Sequence, residues 1–146
     1  MRAPRRFRIS YPFVPGNTPT GIVMRPFIPV RLTGPRQSAR YLAMVDSGAD
    51  RSVIPLSTAD FLGLRFDGKP PRHVRGIGGE VAVASARVDA TVGRGTRMFT
   101  FRRLSVDVPT RRVPGLIPIL GREEIFERLE ASFDIRRDAI TLRLSR

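Results

Sequence analysis

Apolar and polar positions alternate with a period of two through much of this chain. Phe7, Ile9, Tyr11 and Phe13 mark a half-buried strand, which Pro12 and Pro15 set at a sheet edge or end. Gly16 to Gly21 reads as a turn. Ile22 to Leu32 is a second strand, interrupted by Pro26 and Pro29, and Thr33-Gly34-Pro35 is a loop. Arg40 to Val45 is a strand that runs into Asp46, and Ser52-Val53-Ile54 resumes the extended chain. Ser57 to Gly63 predicts one or two helical turns, with Ser57 as cap and Gly63 as terminator.

Further on, Gly76-Ile77-Gly78-Gly79 is a glycine-dense turn between strands. Val81 to Val92 alternates as a strand, Met98 to Val108 is another strand, and Pro109 to Pro114 is an exposed basic turn. The apolar run Gly115 to Gly121 leads into a helix over 122–130, whose apolar face is Ile125, Phe126 and Leu129. Phe133-Asp134-Ile135 and Ile140 to Leu144 predict a hairpin across Arg136-Arg137-Asp138. Many strands, one short helix and frequent Gly and Pro turns point to an all-β, barrel-like domain.

Composition sharpens this picture in a few places. The 146 residues are 41% hydrophobic and 27% charged, as in one globular domain with a core of its own. No cysteine is present, which excludes disulfides and thiolate metal sites. His73 is the sole histidine and is expected to face solvent, so multi-histidine metal sites are excluded as well. No metal or organic cofactor is expected. No apolar run reaches the length of a membrane span, and the basic start of the chain is not followed by an apolar stretch. The expected location is therefore cytoplasmic.

The net charge of +13 would hold anionic surfaces non-specifically. Lys69 is the sole lysine among 26 basic residues, and the arginines are spread along the whole chain. They form no basic stripe with interleaved aromatics, so charge alone does not make specific nucleic-acid binding the main function.

The chemistry gathers at Met44-Val45-Asp46-Ser47-Gly48-Ala49-Asp50. A buried strand stops at a carboxylate. A small hydroxyl residue follows, then a glycine that frees the backbone for a tight turn. A carboxylate held rigidly at a strand end suits acid–base work, and the same residues also suit an Asx or Ser turn between strands. Two further features follow in order: the Gly76–Gly79 turn, and Ile119-Leu120-Gly121-Arg122 leading into a helix.

With these three motifs in this order, the sequence resembles the retropepsin-like aspartic proteases, meaning the retroviral proteases and their cellular and bacterial relatives. The resemblance covers about residues 22–144 and leaves 1–21 as a basic arm or edge strand ahead of a protease domain, 22–146. It implies a closed acid-protease barrel with one short C-terminal α-helix. Asp46 then takes the place of the catalytic aspartate, with Ser47 linking the two active-site loops and Gly48 beside it. Asp50 would contact the substrate backbone and pair with Arg122, while Gly121 supports the loop. Gly76, Ile77, Gly78 and Gly79 resemble a flap tip, and Val53 and Ile119 match pocket-lining positions. Arg75 stands where many retroviral flaps carry a glycine.

Hydrolysing a peptide through such a site takes two carboxylates, and this chain offers one aspartate of that kind. The active unit implied is a homodimer acting on a peptide or protein substrate. The alternative is a catalytically silent dimerisation or peptide-binding module on the same fold.

Overall fold

The computed structural model describes residues 7–145. Of the basic arm or edge strand expected over 1–21, residues 1–6 lie outside the described residues. Strand β1 (Arg8–Pro12) buries Ile9 and Tyr11 and leaves the intervening side chains exposed, as the alternation predicts. It pairs with β12 (Ala139–Leu144), which also pairs with β11 (Leu129–Asp134). The three make a separate sheet in the order β1-β12-β11, with β1 at one edge.

The stretch expected as one strand from Ile22 to Leu32 is two. Strand β2 (Val14–Thr18) and β3 (Gly21–Arg25) form a two-stranded ribbon, and Pro26 separates β3 from β4 (Phe27–Thr33). The turn expected over Gly16–Gly21 contracts to Pro19-Thr20. Gly21 follows at φ 130°, a conformation glycine adopts without strain. On β4, Ile28, Val30 and Leu32 point into the core. Pro29 precedes the point where β4 meets β8 at Arg31, so its missing N–H costs no bond on that side.

The barrel closes through β4, β5 (Ser38–Val45), β6 (Ser52–Val53), β8 (Gly79–Arg94), β9 (Arg97–Pro109) and β10 (Ile119–Leu120). These strands are ordered β4-β5-β10-β6-β9-β8, and β8 pairs back onto β4. Closure leaves no free edge within the ring. Strand β7 (Arg72–Gly76) pairs with the first half of β8 and extends outside the ring as an edge. The core fills with Ile28, Leu32, Leu62, Leu104, Val106 and Val108, each almost fully buried. Truncating any such leucine to alanine costs about 2–5 kcal/mol.

Helix α1 (Leu56–Leu62) starts two residues earlier than a Ser57 cap implies. Pro55, not Ser57, occupies the cap position, and Gly63 ends the helix at φ 71° as the sequence indicates. The helix expected over 122–130 is shorter and less regular. Only Arg122–Phe126 turns helically, and Glu123 (ψ 128°) and Glu124 (φ 66°) leave helical dihedrals within it. Tertiary bonds account for this: Glu123 N–H donates to Asp50 O at 2.9 Å, and Glu124 accepts from Ser105 N–H at 2.8 Å. From Leu129 onward the chain is drawn into β11. Among the described residues no helix is long and apolar enough to cross a membrane.

The small sheet is fastened to the barrel by Tyr11. Its hydroxyl accepts from Gly93 N–H at 2.7 Å, and the Arg94 guanidinium lies over its ring at 5.4 Å. Burial pushes the Tyr11 hydroxyl above its ordinary pKa, against the opposing pulls of the Gly93 bond and Arg94. The unfolded tyrosine ionises first, near pH 10, so this contribution to stability is complete below that pH and is lost as pH rises beyond it. Tyr11→Phe should lower stability at neutral pH by about 1–2 kcal/mol and flatten the alkaline decline, as read by denaturant titration at both pH values.

Candidate active site

Asp46 emerges at the end of β5, where the barrel turns the chain out of the core. Val45 is buried, Asp46 is half-buried, and Ser47 and Gly48 are exposed. The Asp46 carboxylate accepts from Gly48 N–H at 2.8 Å, and Ala49 N–H donates to Asp46 O at 3.3 Å. This local turn aims the carboxylate outward from a fixed backbone. A Cβ on Gly48 would lie 3.2 Å from Asp46 Oδ1, which is tight, so glycine suits the close approach.

The loop 46–51 joins β5 to β6, and β10 lies between those two strands. β10 runs parallel to β5, with Met44 opposite Ile119 and Val45 opposite Leu120, and antiparallel to β6, with Val53 opposite Ile119. Main-chain bonds then stitch the loop to the chain leaving β10. Asp46 N–H donates to Leu120 O at 3.0 Å, and Arg122 N–H donates to Ala49 O at 2.9 Å. Gly121 sits where nothing larger fits: a Cβ there would come within 2.5 Å of the Arg51 carbonyl and 2.9 Å of Ala49 O. Its N–H donates to the buried Ser52 hydroxyl at 3.1 Å.

The residues singled out from sequence fall into two groups. Asp46, Ser47, Gly48, Asp50, Gly121 and Arg122 come together around the loop. Arg122 Nη2 donates to Asp50 Oδ1, joining the loop to the turn after β10. Both side chains are largely exposed, so the pair contributes at most about 1 kcal/mol and serves mainly to orient. Ser47 has no hydrogen bond from its hydroxyl among the described residues. Val53 and Ile119 are half-buried neighbours on β6 and β10.

Gly76, Ile77, Gly78 and Gly79 form the second group, the tip of the β7–β8 hairpin. Gly76 pairs with Gly79 around a two-residue turn, with Gly79 at φ 110°. Ile77 is fully exposed there, an unusual place for a β-branched apolar side chain without a cover. His73 is exposed on β7, with Nδ1 3.5 Å from the Glu80 carboxylate.

Sequence reasoning missed Ser52, Arg51 and Asp107. Asp107 is 3% exposed, and its Oδ1 accepts from Arg51 Nε at 3.0 Å and from Arg72 Nη2 at 2.5 Å. Arg51 also reaches Glu123 at 3.0 Å. Asp107 sits on the polar phase of β9, so its alternation gave no signal, and its partners are remote in sequence. Ser52 likewise reads as an ordinary strand residue.

A sequence model of the aspartyl protease family matches residues 28–123. A search of curated proteins found no match. Among solved structures, the chain is similar to EIAV protease in complex with the inhibitor HBY-793, at 22% identity and a TM-score of 0.50, covering 70% of this chain and 86% of that one. It is similar to a retropepsin-like aspartic protease from Rickettsia conorii, at 16% identity and a TM-score of 0.52, covering 99% and 98%. It is also similar to the retroviral protease-like domain of Ddi1 from Leishmania major, at 15% identity and a TM-score of 0.51, covering 85% and 96%. These likenesses show the retropepsin-like barrel.

Two substitutions test how the loop is held. Gly121→Ala should destabilise by about 3 kcal/mol, because the clash is with main chain that cannot move aside. Ser52→Ala leaves a buried N–H unpaired and should cost about 1–3 kcal/mol. Denaturant midpoints read both, and a neutral result for Ser52→Ala would mean that the hydroxyl does not hold the loop.

Proposed function

As the chain belongs to the aspartyl protease family, we propose that it is an aspartic endopeptidase whose working site forms when two copies bring their Asp46 carboxylates together. The observation that carries this reading is the position of Asp46. One carboxylate stands at the end of a barrel strand, on a loop fixed by main-chain bonds, and turns out of the fold. Two carboxylates in contact cannot both ionise, so they share a proton and titrate as a pair. The ionised one takes a proton from water. The water oxygen bonds to the peptide carbon while the protonated carboxyl gives its proton to the carbonyl oxygen. Collapse of the tetrahedral adduct breaks the C–N bond, the amine leaves with the proton taken from water, and as the C=O re-forms an O–H proton returns to the dyad, restoring its one shared proton.

The surroundings of Asp46 support the pairing of copies. A groove of about 550 Å³ beside Ser47 is lined by Phe126, Leu129, Ala131 and Phe133, and β11 borders it as an edge strand. Phe133 is 40% exposed there. A second copy would cover this apolar edge and supply a partner for the free Ser47 hydroxyl. The β7–β8 hairpin would act as the flap, with Ile77 as its apolar latch and its glycines as the pliant tip. Substrate would lie extended beneath it, contacting Gly48 and Asp50 and filling pockets near Val53 and Ile119. Bulky apolar side chains are the expected choice at the cut.

A diverse peptide pool incubated from about pH 4 to pH 8 tests the reading. Cleavage should peak in the acid to near-neutral range, fall as both carboxylates ionise, and drop at least about a thousandfold in Asp46→Asn. Absence of cleavage from a well-folded dimer would favour the peptide-binding alternative, and full activity from a monomer would refute the paired site.

A further inference from the structure

A second cavity, of about 770 Å³, opens on the flank of the barrel between the start of β6 and the base of the β7–β8 hairpin. Six cations line it: Arg51, Arg65, Lys69, Arg72, Arg87 and Arg103. Asp67 is the one carboxylate in the lining. Like charges repel when gathered into one concave site, so the arrangement calls for an anionic occupant.

The cations divide by role. Arg51 and Arg72 are held in place by the buried Asp107 carboxylate, with Glu123 also on Arg51. Among the described residues, the side chains of Arg65, Lys69, Arg87 and Arg103 have no carboxylate partner within ion-pair distance. Arg87 donates to Arg103 O at 3.0 Å.

Arg103 is brought to the cavity by a local distortion. The β8–β9 register shifts between Val88 and Ala90, so Arg102 and Arg103 together oppose Asp89. Arg103 sits at φ 52°, in the left-handed region that side-chain-bearing residues seldom adopt. Asp89 Oδ1 holds this conformation by accepting from Arg103 N–H at 2.8 Å. A bulge of this kind re-aims a side chain, and the strain it stores is common where a site needs it.

We infer that this cavity is a subsite for the carboxylate side chains of an acidic peptide segment flanking the bond to be cut. The inference rests on the peptidase reading, since it is the substrate that brings the segment there. Arg51 directly follows Asp50 of the active-site loop, and Arg72 begins the hairpin that would cover substrate. On the peptidase reading, an extended chain held by the active-site loop and covered by the hairpin would run past these two arginines. Guanidinium groups grip carboxylates with paired hydrogen bonds. No aromatic side chain lines the site, so it lacks the stacking platform that a single-stranded nucleic acid uses.

The test uses labelled hexaglutamate and hexaglutamine peptides, bound to the Asp46→Asn protein and followed by fluorescence anisotropy. The glutamate peptide should bind at least about tenfold tighter and lose affinity as salt is raised from about 50 to 300 mM. The variant Arg65→Ala/Lys69→Ala alters two exposed, unpaired loop side chains and should remove most of that preference. Arg136→Ala/Arg137→Ala, the same charge change on the turn between β11 and β12 in the separate sheet, should keep it. An equal loss in both variants would reduce the effect to overall charge and overturn the subsite. Displacement of the glutamate peptide by equimolar inorganic phosphate would overturn it in favour of a phosphate ligand. Cleavage by the wild-type protein separates the two readings. Equal cutting of substrates with Glu or Gln flanks overturns the subsite alone. Glutamate binding that depends on Arg65 and Lys69, without cleavage of any substrate, overturns the peptidase reading and with it the place beside a cut bond, and leaves an acidic-peptide-binding site.

Discussion

The insertion of β10 between β5 and β6 is the constraint on which the rest of the site depends. A two-residue strand, Ile119–Leu120, bonds to the strand that delivers Asp46 and to the strand that leaves the loop. It can do so only because Gly121 has no side chain to strike the Arg51 and Ala49 carbonyls. The loop is thus pinned from three directions: Leu120 O on Asp46 N–H, Ser52 Oγ on Gly121 N–H, and Ala49 O on Arg122 N–H. Main-chain bonds of this kind, closed inside a barrel, position a carboxylate more firmly than exposed ion pairs do. The Asp50–Arg122 pair adds orientation to a loop whose place is already set.

On the proposed reading, a single copy carries one carboxylate of the pair that the chemistry needs. Among its exposed apolar side chains are Ile77, at a hairpin tip, and Phe133, on an edge strand in the groove beside Ser47. Contiguous exposed apolar surface marks places that a partner or ligand covers. On the proposed reading, substrate meets the first and a second copy meets the other. The basic flank formed around Arg51 and Arg72 extends the same logic to charge. Asp107 spends its buried carboxylate on organising two arginines, leaving their unpaired neighbours free to meet an anion.

Much of this was legible in the chain itself. The alternation through β1 and β8, the strand at β9, the hairpin of β11 with β12, and the Gly63 helix stop follow from period-two patterning, apolar runs and glycine conformation. The three motifs around Asp46, Gly76–Gly79 and Gly121 led to the barrel now seen. The sequence was silent wherever tertiary bonds override local preference. Residues 122–130 carry an amphipathic helical pattern, yet bonds from Glu123 and Glu124 to other elements break the helix after one turn. Gly16–Gly21 reads as a turn, yet Gly16 to Thr18 belong to β2, which pairing with β3 makes a strand. Asp107 and Arg72 are far apart in sequence and meet only because β7 and β9 both flank β8.

The central claim is that one catalytic site needs Asp46 from two chains. It is tested most directly by holding wild-type protein at a fixed concentration and adding increasing Asp46→Asn protein, with subunit exchange verified by mass. A shared site predicts that cleavage falls toward zero as wild-type chains become paired with the variant. Cleavage that stays constant in a tenfold excess of exchanging variant, about the point at which few wild-type pairs remain, would contradict it.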